Sequence, residues 1–116
     1  MITASGLRLA VFTVWALGLL CPGPAAAQSD LERARMLYNA GQFDESIAAA
    51  TSAKRRPAAS PSATLIIARA RVERFRALGD PKDLAAARNE LISLNPRDLA
   101  PQEAIEWQVG VGAALF

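Results

Sequence analysis

The chain is expected to be all-α, with antiparallel helical hairpins stacked side by side as a solenoid. Three observations predict this. Gly41 and Gly79, 38 residues apart, each close one amphipathic helical pattern and open another. No segment sustains a two-residue alternation of apolar and polar side chains, so no strand is expected. Helix starts and stops recur between the apolar stretches, at Asp80-Pro81, Asn95-Pro96 and Pro101. A hairpin of this length cannot bury its apolar face alone and must stack on a neighbour. Stacking gives an extended surface rather than a deep pocket.

The amino terminus reads as an export signal. Arg8 precedes an apolar run from Leu9 to Leu20, and the small residues Gly23 to Ala27 follow, with cleavage expected after Ala27. The run is well short of the roughly 20 residues that span a bilayer, so no permanent membrane span is expected in the mature chain. Lipid attachment at Cys21 is the competing reading, but bulky Leu20 before it and Pro22 after it do not match the usual small-residue context. The expected localisation is periplasmic or secreted, with residues 1–27 a signal peptide and 28–116 one helical repeat domain.

Ser29 with Glu32 predicts a capping-box start for a first helix that runs to about Ala40, where Gly41 supplies the left-handed stop. A second helix, about Asp44 to Lys54, has a small-residue interior that permits close helix approach. The basic triplet Lys54, Arg55 and Arg56 at its end complements the helix dipole. Ser60 and Pro61 predict the cap and first turn of a third helix, about Ser62 to Leu78, with Leu65, Ala68, Val72 and Phe75 on its core stripe and Arg69, Glu73 and Arg76 on another. Asp80-Pro81 starts a fourth helix that Asn95-Pro96 ends. Pro101 and Glu103 open a fifth, still helical at Phe116, with Gly110, Gly112 and Ala113 expected in close-packing roles. The units are therefore about 29–56, 62–96 and an incomplete third at 101–116, as in a fragment of a longer protein.

The run from Ala34 through Tyr38, Gly41, Phe43, Ser46 and Ile47, followed by Ala50 and Ala53, resembles a tetratricopeptide repeat, and Gly79 to Pro96 resembles its second half. The spacing of 38 residues exceeds that family's roughly 34. Bulky Leu84 and Leu91 stand where the family has small residues, and no aromatic follows Gly79. The resemblance implies a right-handed superhelix of hairpins in which the first helix of each unit lines a concave groove. It places Arg35, Tyr38 and Asn39 beside Arg69, Glu73 and Arg76 as a partner-binding surface for a protein or an extended acidic peptide.

Composition excludes much chemistry. There is no His, and the single Cys lies in the expected signal, which removes disulfides, Cys/His zinc sites, thiol nucleophiles and Ser-His-Asp arrangements. Thirteen Lys and Arg face 11 Asp and Glu, and loss of Arg8 with the signal leaves a net charge of only +1, so no nucleic-acid partner is expected. Of the carboxylate pairs, Asp44/Glu45 and Asp80/Asp83 sit at helix starts, where acidic residues serve the dipole, and Glu103 of the pair Glu103/Glu106 is in the same position at Pro101. No cofactor, metal or enzymatic activity is expected. The leading function is an exported scaffold that binds a protein or peptide. The alternatives are a structural component of a bacterial envelope assembly, or the docking arm of a larger exported enzyme whose catalytic domain lies beyond residue 116.

Overall fold

A computed structural model describes residues 24–116, with side chains from Ser29 onward. The described part is helical throughout: α1 (Pro24–Asn39), α2 (Phe43–Ala53), α3 (Ser60–Leu78), α4 (Pro81–Ser93), a short 3-10 turn (Pro96–Asp98) and α5 (Pro101–Leu115). The expected signal sequence up to Gly23 and Cys21 lie outside the described residues. No described helix is long and apolar enough to cross a membrane.

Local chemistry sets most of the boundaries. Gly41 and Gly79 adopt positive φ (+77° and +74°), which side-chain-bearing residues rarely tolerate, and so end α1 and α3 as expected. The Asp80 carboxylate accepts from the Lys82 backbone N–H at 3.0 Å and caps α4. The Asn95 side chain accepts from Arg97 N–H at 3.0 Å and holds the 3-10 turn. The Glu103 carboxylate reaches back to the Ala100 N–H at 3.1 Å and fixes the start of α5.

Two expected starts are corrected. Ser29 lies inside α1, whose helical backbone already begins at Pro24, so no capping box starts that helix. Ser60 is itself helical and Ala59 is the cap of α3; Pro61 still occupies the first turn, where its missing N–H costs nothing.

Helix α3 is the centre of the fold, packing against α1, α2, α4 and α5. One of its faces gives Ala63, Ile66 and Ile67 to a core shared with Leu31 and Ala34 of α1 and Ala49, Ala50 and Ala53 of α2. Another face gives Leu65, Ala68 and Val72 to a second core with Ala87 and Leu91 of α4, Leu99, and Ala114 of α5. Phe75, expected in the second core, is only half-buried and belongs to neither cluster.

Close approach in the first core is visible at Ser46, which is wholly buried and donates to the Ala34 carbonyl at 2.8 Å. Ala34 is wholly buried as well, so the small residues of the two helices meet here. In the second core, the indole of Trp107 donates to the Leu91 carbonyl at 2.9 Å. Gly110 is buried, and a Cβ there would meet Leu91 Cδ2 at 3.4 Å. Gly112 and Ala113, expected beside it in the packing, are exposed instead.

Arg74 of α3 joins three helices. Its Nη1 donates to Asp44, in the first turn of α2, at 3.0 Å, and its Nε donates to Asp83, in the first turn of α4, at 3.1 Å. Asp83 is buried, and the Arg74 hydrogen bonds hold its carboxyl below the usual carboxylate range, outweighing the opposing effect of burial. The same bonds push the guanidinium's own pKa upward.

Candidate functional site

The hairpin order places α1, α3 and α5 side by side, and their exposed stripes form one groove. Its wider part, about 370 Å³, is lined by Arg35, Tyr38 and Asn39 of α1, Ile66 and Arg69 of α3, and Gln102, Glu103 and Glu106 of α5. A narrower extension of about 120 Å³ shares Tyr38 and Arg69 and continues past Glu73 and Arg76 to Val109. The six residues expected on the partner surface therefore line two adjoining cavities that share Tyr38 and Arg69.

A ladder of charges crosses the groove. Arg35 donates to Glu103 at 3.3 Å and Arg69 to Glu106 at 3.1 Å, while Arg76 pairs with Glu73 on its own helix at 2.8 Å. The Arg69 guanidinium also lies 4.5 Å from the centre of the Tyr38 ring, a cation–π contact. The Tyr38 ring in turn meets Phe43 edge-on, with centroids 5.6 Å apart. Burial pushes the Tyr38 hydroxyl above its ordinary pKa, against the opposing pull of Arg69. Two helices thus hold the tyrosine in place. It reads as a fixed wall of the groove rather than a mobile side chain.

Glu103 and Glu106 are the site residues that the sequence reading passed over, Glu103 having been assigned to the helix start. Glu103 does serve that start through one oxygen, but its other oxygen pairs with Arg35. The signal was available: if α5 is the first helix of a third unit, its stripe must line the same surface as Arg35 and Arg69. The charge balance follows from these partners. Arg35, Arg69 and Arg76 face Glu73, Glu103 and Glu106, so the groove is neutral overall and each expected cationic contact is already opposed by a carboxylate.

The other carboxylate pairs do not converge. Asp44 and Asp83 are both held by Arg74, and Glu45 and Asp80 form no site with them. Glu90 of α4 lies 3.2 Å from Arg71 Nε, but the pair is not aligned as a hydrogen bond, and burial raises the Glu90 carboxyl above its usual range. The basic residues Lys54 and Arg55 line a broad cleft of about 630 Å³ together with Glu90 and Asp98, a mixture of signs rather than an anion site. Among the described residues no group of three or more His, Cys, Asp or Glu side chains could hold a metal ion.

No protein-family model matches the chain, and neither a curated protein nor a solved structure matches it at a significant level.

Proposed function

We propose that this chain is an exported scaffold whose repeated hairpins, arranged as in tetratricopeptide repeats, hold an extended polypeptide segment in the groove between α1, α3 and α5. The observation that carries the reading is the meeting of three non-consecutive helices at one surface, with a fixed aromatic at its centre and ion pairs across it. Side chains committed to packing alone would not be arrayed in this way along the exposed stripe of every first helix. The absence of imidazole and thiol from residues 28–116 is in keeping with a binding role.

The neutral groove refines the kind of segment that fits. A strictly acidic peptide would meet the carboxylates of Glu73, Glu103 and Glu106 and leave two of them without partners. A segment carrying both signs exchanges partners instead: its carboxylates take Arg35 and Arg69, and its cations take the released glutamates. Because the net charge is zero, salt weakens such binding only modestly.

The test is capture from an envelope fraction by the exported chain, compared with an Arg35→Ala/Arg69→Ala double variant. Capture should fall at least tenfold while the circular-dichroism melt stays nearly unchanged. Undiminished capture by the folded variant would place the site elsewhere. Amino-terminal sequencing of exported material should start at Gln28; an intact Met1 or a lipidated Cys21 would reject the export reading.

A further inference from the structure

The narrower cavity of the groove differs from the wider one in its lining. Tyr38 of α1, Val72 of α3, and Val109, Gly110 and Ala113 of α5 give it a floor and walls without charge. Its margin along α3 is charged. Arg69, bound to Glu106, stands at the junction with the wider cavity, and Arg76, bound to Glu73, stands two turns further on. Val109 is 63% exposed and Ala113 is exposed too, so apolar surface meets solvent here between two ion pairs. A concave apolar patch with polar groups at its margin is the form of a side-chain anchor.

We infer that this cavity holds one branched aliphatic side chain of the bound segment, with a charged residue two positions before it and another two positions after it. Such an anchor presupposes the extended polypeptide proposed above. Size selects the side chain. The cavity is about 120 Å³, smaller than the roughly 150 Å³ that accommodates a benzene ring, so leucine, isoleucine or valine fills it and an aromatic ring does not. Spacing selects the charges. Arg69 and Arg76 are seven residues apart on α3, about 10 Å along its axis. In an extended segment alternate side chains face the same surface and four residues cover about 13 Å, a difference that long arginine and glutamate side chains take up. Each end of the cavity offers one cation and one carboxylate, so a charge of either sign finds a partner there. A helix, roughly 10 Å across, cannot enter a space of this volume without opening both ion pairs.

The test uses the full chain and two fluorescein-labelled peptides, Gly-Ser-Glu-Ser-Leu-Ser-Lys-Ser-Gly and the same with Glu and Lys exchanged, which together cover both chain directions. Fluorescence anisotropy measures binding. The tighter peptide should bind at least about tenfold more strongly than its analogue with Ser in place of Leu, and several-fold more strongly than its analogue with Phe there. Moving Leu by one position turns it to the opposite side of the segment and should lose the same tenfold factor. Ala113→Leu fills the cavity with the protein's own side chain and should bring the Leu peptide down to the level of its Ser analogue, with the melt nearly unchanged. Should that variant unfold, Val109→Ser decides: it should weaken the Leu peptide at least threefold and leave the Ser analogue where it was. Equal binding of the Leu and Ser peptides, or a Leu preference that survives in folded Ala113→Leu, would overturn the inference. So would the absence of any peptide binding at about 1 mM. In each of these cases, envelope capture that still depends on Arg35 and Arg69 would leave the groove reading standing.

Discussion

The joint between α1, α2 and α3 and the joint between α3, α4 and α5 solve one packing problem in opposite ways. The first is rich in alanine. Ala34, Ala49, Ala50, Ala53 and Ala63 pack around Leu31, Ile66 and Ile67, and Ser46 bonds directly to a main-chain carbonyl on the facing helix. The second is built from bulk, with Leu65 and Leu91 buried and Leu84, Leu94 and Trp107 packed around them. The share of alanine is larger in the first joint, so less apolar surface is buried per residue there than in the second. Hence the first should be intolerant of added volume and the second of lost volume.

The largest expected effect tests the second joint. Leu91→Ala removes a wholly buried side chain on which Gly110 and the Leu65 cluster rest, and should cost about 3 kcal/mol. Thermal melting measures it. A loss no larger than the roughly 1 kcal/mol expected for Ala50→Gly, the corresponding truncation in the first joint, would erase the contrast.

Overpacking tests the first joint. Ser46→Leu places a branched side chain where the Ala34 backbone now sits and should cost about 2 kcal/mol. An unchanged melting temperature would show that the alanine joint has slack.

A smaller effect, read through pH, separates two ion pairs within the second joint. The folded-state pKa of Asp83 is depressed, so its stabilisation is present above the ordinary carboxylate value near 4 and is lost as pH falls through the depressed value. Glu90 has a raised folded-state pKa, so its contribution has the opposite sign: present below that ordinary value and lost as pH rises through the raised one. Asp83→Asn should flatten the fall in melting temperature toward acid, and Glu90→Gln should raise the melting temperature near neutrality. Acid profiles that coincide for wild type and Asp83→Asn would show that the Arg74 bridge contributes nothing to folding.

The sequence displayed the features that act locally. Gly41 and Gly79 end helices because of their own backbone freedom, and Asp80, Asn95 and Pro101 mark boundaries within one turn of themselves. Ser29 misled because a capping residue and a mid-helix serine look alike until the preceding backbone is known to be helical. Phe75 lies on the predicted stripe, but at the end of α3, where no helix covers it fully. The six groove residues on α1 and α3 were legible from the resemblance to repeat hairpins. Their partners Glu103 and Glu106 could be read only by carrying the repeat register on to α5, because pairing across 68 and 37 residues leaves no local mark. Arg74 was silent for the same reason: nothing near it distinguishes it from its arginine neighbours until α2 and α4 present their first turns to it.

The scarcity of aromatic hydroxyl and indole groups has an optical consequence. The chain contains two tryptophans, Trp15 in the expected signal and Trp107 on α5, and a single tyrosine, Tyr38. Within residues 28–116 the indole emission comes from one ring, hydrogen-bonded to α4 where α5 docks, and the one phenol stands at the centre of the groove. Residues 28–116 therefore carry one indole and one phenol at two different places, and the emission of Trp107 reports on the docking of α5 without a second tryptophan to obscure it.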